Sequence, residues 1–285
     1  MNKQKQIESS VKEIIQGDEK NISSSNLKKI FSLIDLTSLN TGDNESRIIG
    51  ICEKINSFSD HFEELPAVAA FCIYPNFVPT VKDYLKVKNV KIASVAGGFP
   101  SSQTYFEIKQ KEVEKALSDG ADEIDIILSV GKLFEHKETE VSEEIRELKK
   151  LTGLKHLKVI LETGLLNDYE LIHSAGILAM ESGADFIKTS TGKFEPAATL
   201  EAAYVMAFSI KKFYENTGKK VGIKPAGGIS TSIQAYRYLL VIKGVLGEEW
   251  INSELFRIGA SRLANNLLTD INEKKTGEKL PVQYF

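Results

Sequence analysis

The sequence has little of what marks disulfide-rich, metal-binding and membrane-spanning proteins. Its 285 residues include two cysteines, Cys52 and Cys72, without a CxxC spacing, and four histidines without an HxH or HExxH pattern. This composition predicts a reduced, cytoplasmic protein with no bound metal. No segment approaches the roughly 20 apolar residues of a membrane span. The N-terminus also lacks the apolar core of a signal peptide, so we expect neither export nor membrane insertion.

A surplus of basic residues is missing as well. The chain has 36 Lys and Arg residues against 39 Asp and Glu residues, and its formal net charge is −3. Such a balance gives no basic footprint for nucleic acid. The glycine patterns GxGxxG and GxxxxGKS/T are also absent, so nucleotide binding is not indicated. Small molecules are therefore the expected partners, and the sequence leaves a homodimer open.

What the chain does contain is a regular alternation of β-rich runs and helical patterns. The β-rich runs cover residues 30–37, 67–74, 90–96, 122–129, 157–163, 185–190, 221–226 and 255–260. Strands that alternate with helices predict right-handed crossovers and a parallel sheet. Eight such units favour a closed (β/α)8 barrel, the TIM-barrel fold of the α/β class, over an open sheet.

The helical patterns between the strands also predict how the chain is divided. The clearest amphipathic segments span residues 103–119, 168–182 and 197–215. An extra N-terminal helix is predicted because Ile7, Val11, Ile14 and Ile15 follow helical spacing. We expect it to pack on the N-terminal end of the barrel, and an arm that binds a partner is the alternative. The predicted division is an N-terminal helical extension (1–25), a catalytic barrel (26–273) and a C-terminal tail (274–285).

Charged residues occupy strand positions that point into the predicted barrel, because side chains alternate between the two faces of a strand. These inward residues are Asp35, Asp125, Glu162, Lys188 and Lys224. Barrel interiors are normally filled by Val, Ile and Leu. The charges are either an ion-pair network that only holds the fold or an active site. Because buried networks seldom stabilise more than apolar side chains do, the sequence favours an active site.

Lys188 and Lys224 are the most informative of these residues. Burial of an ammonium group favours loss of its proton, and a neutral amine is the nucleophile of Schiff-base enzymes. On neighbouring strands the two lysines are expected side by side, one attacking a carbonyl while the other supplies positive charge. Asp125 would move protons, directly or through water. Strand alternation does not say which lysine is the nucleophile.

Three glycine-containing loops follow the last three predicted strands. They are Thr191-Gly192-Lys193, Ala226-Gly227-Gly228 and Gly259-Ala260-Ser261-Arg262. Barrels often bind phosphate on backbone N–H groups at this end, so the loops predict an anion site. Cys72 points inward on the second strand, where it is expected either to pack in the core or to line the substrate pocket.

Several of these segments together resemble the deoxyribose-phosphate aldolase family, class I aldolases with a TIM barrel. The resemblance covers about residues 30 to 268 and is carried by seven motifs in order. They are IDLT (34–37), CIYP (72–75), GADEID (120–125), KVILETG (158–164), FIKTSTGK (186–193), KPAGG (224–228) and FRIGAS (256–261). Arg262 departs from the pattern, since some members have a second serine there. Some shorter members end in a tyrosine that reaches the active site, whereas Tyr284 is penultimate here.

The resemblance implies a role for each site residue. Lys188 would form the Schiff base, Lys224 would perturb it, and Asp125 would be the acid/base. The phosphate of the substrate would be bound by Gly192, Lys193, Gly227, Gly228 and Ser261. Asp35, Cys72 and Thr191 are the other predicted substrate-binding residues. The implied reaction is the reversible cleavage of 2-deoxyribose 5-phosphate, from deoxyribonucleoside breakdown, to glyceraldehyde 3-phosphate and acetaldehyde, without metal or cofactor. A barrel aldolase for another aldehyde pair and an inactive barrel that binds a sugar phosphate are the alternatives.

Overall fold

Eight parallel strands form one sheet in a computed structural model that describes residues 3–16 and 22–285. The strands are β1 (Ile34–Thr37), β2 (Ala70–Ile73), β3 (Lys91–Ala96), β4 (Glu123–Ile127), β5 (His156–Ile160), β6 (Phe186–Lys188), β7 (Gly222–Lys224) and β8 (Ile258–Ala260). Their order is β7-β6-β5-β4-β3-β2-β1-β8, and parallel bridges Ile223–Phe256 and Ala226–Gly259 join the two ends. The predicted TIM barrel is therefore confirmed. Each strand is shorter than its predicted run, and the first run was wrong at residues 30 and 31, which belong to a helix.

Helices cover the outside of this barrel. They are α1 (Lys3–Ile15), α2 (Ser24–Phe31), α3 (Glu45–Asn56), α4 (Phe58–His61), α5 (Val78–Tyr84), α6 (Phe106–Ser118), α7 (Val130–Phe134), α8 (Glu138–Thr152), α9 (Thr163–Leu166), α10 (Tyr169–Glu181), α11 (Leu200–Thr217), α12 (Ser232–Leu246) and α13 (Leu263–Thr276). The three clearest predicted helices are α6, α10 and α11. Within the described part of the chain, none of the helices is long and apolar enough to cross a membrane.

The strands separate an apolar outer face from a mixed inner one, as their alternation predicts. Outward side chains such as Ile124, Val159 and Ile223 are fully buried in the main core beneath the helices. Burial of each such side chain contributes about 2 kcal/mol to folding. Inside the barrel, a smaller cluster holds Leu39, Ala70, Cys72, Ala93 and Val95. The small side chains of β2 and β3 fill one part of the interior, and the charged residues occupy the rest.

The extra N-terminal helix is present, but the prediction of its position was wrong. Ile7 and Val11 are buried, and α1 packs along α11 and α12 on the side of the barrel rather than on its N-terminal end. Near its end, Ile14 lies against Gly244, where an added Cβ would be 3.1 Å from Cγ2 of Ile14. Residues 1, 2 and 17–21 of the predicted extension lie outside the described residues. The division into three segments stays a prediction, and its boundary at residue 25 runs through α2.

The end of the C-terminal tail packs against the barrel's outer layer. The Tyr284 hydroxyl donates to the Lys54 carbonyl oxygen at 2.8 Å and lies 3.0 Å from Ser57 Oγ. The Tyr284 and Phe285 rings lie against Phe58. Lys54 lies in the last turn of α3, a helix that runs away from the carboxyl ends of the strands. Tyr284 in this structure is therefore anchored far from the barrel mouth.

Candidate active site

Lys188 and Lys224 are neighbours inside the barrel. They are paired residues in the register of β6 and β7, and both side chains are almost completely buried. Lys188 Nζ donates to Asp125 Oδ2 at 2.9 Å, and Lys224 Nζ donates to the same oxygen at 2.8 Å. The expectation that strand alternation brings these three residues together is confirmed.

Two further cations extend this cluster toward the N-terminal end of the barrel. Lys158 Nζ lies 3.0 Å from Asp125 Oδ1 and 2.6 Å from Glu123 Oε2. Arg257 pairs with Glu123 through Nη2 at 2.8 Å, and it is 99 % buried. Strand alternation along β5 also points Lys158 inward, but Arg257 is not among the predicted site residues. Its signal was available, because Arg257 interrupts the apolar run of the last strand.

Asp35 lies beneath the two lysines and does not line the cavity described below. Its Oδ1 accepts from Arg257 Nη1 at 2.7 Å, and its Oδ2 lies 2.5 Å from Lys224 Nζ. The side chain is fully buried. The assignment of Asp35 to substrate binding therefore has no geometric support, because both of its oxygens face cations of the cluster.

The carboxylates determine the charge state of the cluster. Burial alone would raise the pKa of Asp125, but Lys158, Lys188 and Lys224 outweigh it and hold the pKa well below the usual range. Burial alone would lower the pKa of Lys224, but Asp125 and Asp35 reverse that effect and raise the pKa. Burial therefore does not neutralise Lys224, contrary to what its apolar surroundings suggest. Lys224 is therefore held in its charged form.

A cavity of about 200 Å³ opens at the carboxyl ends of β6, β7, β8 and β1. Among the charged residues of the cluster, Lys188 is the one that lines it. The cavity is also lined by Thr37, Leu39, Asn40, Thr191, Gly192, Lys193, Ala226, Gly227, Gly228, Ile229, Ser230, Gly259, Ala260, Ser261 and Arg262. The three glycine-containing loops thus meet at one mouth, as their positions after consecutive strands predict.

The loops that line the cavity contain backbone N–H groups that are available to a ligand. In the described part of the chain, the amides of Gly192, Gly227, Gly228 and Ser261 have no protein acceptor. Helix α13 begins directly after Arg262 without a side-chain cap, so the partial positive charge of its N-terminus adds to the site. This arrangement can bind an anion such as a phosphate group.

Gly227 lets two of the loops approach each other closely. Its φ is +89°, and an added Cβ would lie 2.6 Å from the Ala197 Cβ and 3.1 Å from the Gly192 Cα. A larger residue would meet both the steric penalty of the left-handed region and this contact. The packing of the mouth therefore requires glycine at the first position of the Gly-Gly pair, Gly227.

The other predicted substrate-binding residues have partners within the protein or lie outside the cavity lining. Cys72 is completely buried in the small apolar cluster, outside the cavity lining, and burial raises the pKa of its thiol. This location supports the core-packing interpretation. Lys193 Nζ donates to the Leu39 carbonyl oxygen across the mouth, and the Thr191 hydroxyl donates to Glu162.

Residues 3–16 and 22–285 contain no cluster of three His, Cys, Asp or Glu residues suited to a metal ion.

The parallel barrel and the buried lysine at its mouth are the features of a barrel enzyme that works through an amine. The family model described as DeoC/LacD family aldolase matches residues 30–236. The chain belongs to this family of aldolases.

Similar proteins agree with that assignment. The human deoxyribose-phosphate aldolase is 38% identical over 262 residues, which cover 88% of this chain and 82% of the human protein. A Caenorhabditis elegans protein is 43% identical over 247 residues, which cover 85% of this chain and 80% of the relative. The solved structure of an aldolase called QR15 matches this chain with a TM-score of 0.71 and 28% sequence identity. The match covers 87% of this chain and 99% of the QR15 chain.

A more distant structure shares the fold. The deoxyribose phosphate aldolase from Aeropyrum pernix, described as tetrameric, has a TM-score of 0.66 at 21% identity. The match covers 96% of this chain and 99% of that structure. This likeness supports the barrel alone.

Proposed function

We propose that the protein is a class I aldolase that cleaves 2-deoxyribose 5-phosphate reversibly to glyceraldehyde 3-phosphate and acetaldehyde. The observation that carries the proposal is the position of Lys188. Its amine shares Asp125 Oδ2 with the charged Lys224, and its side chain lines the cavity beside the anion-binding loops. A carbonyl held in that cavity through a phosphate group would lie within reach of this amine.

The ion pairs favour Lys188 over Lys224 as the nucleophile. Lys224 lies between two carboxylates, Asp35 and Asp125, and Lys158 also has two partners. Lys188 pairs with Asp125 only through the oxygen that Lys224 also occupies. The cluster has four cations against three carboxylates, so one amine can lose its proton without leaving a carboxylate unpaired. Lys188 is the amine whose deprotonation breaks the fewest ion pairs.

Cleavage begins when the neutral Lys188 amine adds to the C1 aldehyde of the open-chain sugar, and loss of water gives a protonated imine. The C3 hydroxyl then releases its proton, the C2–C3 bond breaks, and its electrons form an enamine with the imine carbon. Carbons 3 to 5 leave as glyceraldehyde 3-phosphate. Protonation of C2 and hydrolysis then release acetaldehyde and restore the lysine.

Asp125 and Lys224 have complementary parts in these steps. Asp125 is ionised because its pKa is held low, so it can accept a proton from the substrate, directly or through a water molecule. Lys224 keeps its charge and supplies a positive charge beside the reacting nitrogen of Lys188. The phosphate would lie on the amides of Gly192, Gly227, Gly228 and Ser261, with Lys193 near the same mouth.

A turnover assay tests the proposal. The purified protein should convert 2-deoxyribose 5-phosphate to acetaldehyde, which is detected by its reduction with an alcohol dehydrogenase. Its kcat/KM should be much lower for 2-deoxyribose, the same sugar without the phosphate. If the protein turns over another pair of aldehydes faster than 2-deoxyribose 5-phosphate, it is an aldolase of this family with a different substrate. Binding of the sugar phosphate without turnover would support the inactive barrel and contradict the proposal.

The cytoplasmic location and the homodimer stay predictions of the sequence. Both cysteines are free and buried, which is compatible with a reducing compartment. Light scattering coupled to size-exclusion chromatography would measure the number of chains in solution.

A further inference from the structure

Glu162 is a buried carboxylate with an unusual environment beside the site. It follows β5 and adopts the left-handed backbone conformation, with φ 56° and ψ 59°. Side chains other than glycine and asparagine seldom adopt this conformation. The residue is 97 % buried. Among the described residues, no cation lies within ion-pair distance of its carboxylate, so the fold gains no salt bridge from it.

The side-chain hydrogen bonds of Glu162 all lead to one residue of the cavity, Thr191. Its Oε1 accepts from the Thr191 amide at 3.1 Å, and its Oε2 accepts from the Thr191 hydroxyl at 2.5 Å. The same hydroxyl accepts from the Lys193 amide at 3.1 Å. Glu162 thus holds both ends of the turn Thr191–Lys193, directly at Thr191 and through its hydroxyl at Lys193.

The turn held in this way presents Gly192 to the cavity. Gly192 has φ +75°, and its N–H has no acceptor within the described part of the chain. The Thr191 and Lys193 amides are occupied by Glu162 and by the Thr191 hydroxyl. Among the described residues, the pattern of bonds therefore leaves the Gly192 N–H as the amide of the turn without an acceptor, at a residue that lines the cavity.

We propose that Glu162 is a positioning residue that sets the phosphate affinity of the site by holding the Thr191–Lys193 turn. This inference rests on the proposed function, because it takes the bound anion to be the phosphate of the substrate. Burial raises the pKa of Glu162, while the Thr191 hydrogen bonds and Lys188 oppose that rise. The carboxylate is thus costly to keep inside the fold, which a positioning role explains and packing does not.

The proposal separates two properties of the enzyme. We expect Glu162 to act chiefly on the phosphate contact, because its side chain bonds to Thr191, whereas Lys188 exerts only the smallest of the influences on its carboxylate. Loss of its hydrogen bonds should raise KM for the phosphorylated sugar, whereas reactions that involve no phosphate should proceed at the wild-type rate. A carboxylate that only stabilised the barrel would change both kinds of reaction together or neither of them.

The experiment compares Glu162→Ala, Glu162→Gln and wild type, with Glu181→Ala as a control for removal of an exposed carboxylate at the end of α10. For each protein, kcat and KM are measured with 2-deoxyribose 5-phosphate, and kcat/KM with 2-deoxyribose. The rate at which acetaldehyde and borohydride label Lys188 is measured as well, because acetaldehyde has no phosphate. Thermal melting checks that each variant is folded.

We expect Glu162→Ala to raise KM for the phosphorylated sugar by about 10- to 100-fold, because a misplaced anion contact weakens binding on this scale. Its kcat/KM for 2-deoxyribose and its acetaldehyde labelling should stay within about threefold of wild type. Glu162→Gln should raise KM less, because its amide oxygen can still accept from the Thr191 N–H. Equal losses with both sugars, slowed acetaldehyde labelling, or an unchanged KM in a folded variant would each overturn the inference.

A second pair of variants covers the case in which Glu162→Ala does not fold. Thr191→Val removes the hydroxyl that joins Glu162 to Lys193, and it should raise KM for the phosphorylated sugar. Thr191→Ser keeps the hydroxyl and should recover most of that loss, whereas equal effects of the two substitutions would contradict the inference. Failure of the proposed function would be seen earlier, as absence of turnover and labelling in wild type.

Discussion

Lys224 Nζ lies 2.5 Å from Asp35 Oδ2, and this ion pair joins β7 to β1 across the interior of the barrel. β8, the strand between them, contacts β7 through isolated bridges rather than through a full ladder. Asp35 also binds Arg257, which precedes β8. The carboxylate therefore links three neighbouring parts of the barrel where the ladder is weakest.

Substitution of Asp35 by Asn should destabilise the protein strongly. The amide keeps the shape but removes a buried negative charge between Lys224 and Arg257, and loss of one partner from a buried ion pair costs about 3 to 5 kcal/mol. Urea unfolding should show this loss in the free energy of unfolding. The exposed pair Lys150–Glu147 provides the control, because Glu147→Gln should change that free energy by less than about 1 kcal/mol. Equal effects of the two substitutions would refute the role given to Asp35.

Lys193→Ala should weaken phosphate binding without disabling the chemistry. The side chain lines the mouth but does not contact the Asp125 cluster, and a charge-assisted hydrogen bond to an anion is worth about 1.5 to 3 kcal/mol. Steady-state kinetics should show KM for 2-deoxyribose 5-phosphate raised by about 10- to 100-fold, with kcat close to wild type. A large fall of kcat at an unchanged KM would place Lys193 in the chemical steps instead.

Gly227→Ala should damage the mouth more than Gly228→Ala does. Both glycines have positive φ, of +89° and +77°, but an added Cβ meets Ala197 and Gly192 only at Gly227. The backbone penalty of about 1 kcal/mol is common to both substitutions, and the overlap adds about 1 to 3 kcal/mol at Gly227. The difference between the melting temperatures of the two variants measures the cost of the steric overlap at Gly227, because the backbone penalty is common to both. Equal melting temperatures would show that the loops do not approach as closely as this.

The stability of the protein should fall on acidification below about pH 4.5. The pKa values of Asp125 and Asp35 are lowered in the folded state, so folding gains stability above their unfolded pKa of about 3.9. That stability is lost as the pH falls through the lower pKa values that these two carboxyl groups have in the folded state. The pKa of Lys224 is raised, and its contribution is complete below the unfolded value of about 10.4 and decreases only above it.

Urea unfolding followed against pH measures these contributions. Asp125→Asn should flatten the acid limb, because it removes one of the carboxyls that must be protonated. The raised pKa of Glu162 acts in the opposite direction, because its contribution to stability is lost as the pH rises. An acid limb with the same slope in the Asn variant would show that Asp125 is not the group responsible.

The sequence predicted the parts of the site that depend on strand alternation and order. Lys188 and Lys224 point to the same face of the sheet from neighbouring positions on consecutive parallel strands. Their proximity therefore follows from the fold alone. The three loops at the mouth follow from the same rule. The charge state of Lys224 could not be predicted in this way, because it depends on which carboxylate oxygens lie within 3 Å of the amine.

Other features needed information that a pattern does not carry. The periodicity of Ile7 and Val11 identifies the buried face of α1, but it does not say which surface covers that face. Arg257 could have been found by applying the alternation rule to the last strand. The bonds from Glu162 to Thr191 could not have been found, because they depend on a left-handed backbone at a residue type that seldom adopts it.

Trapping the covalent intermediate tests the central claim most directly. Wild-type protein and the variants Lys188→Arg and Lys224→Arg are incubated with acetaldehyde and borohydride, digested, and analysed by peptide mass. We predict a two-carbon adduct on the peptide that contains Lys188 in wild type, and no adduct at residue 188 when arginine stands there, although the positive charge is kept. An adduct on Lys224 in wild type, or no adduct on either lysine under conditions of turnover, would contradict the account.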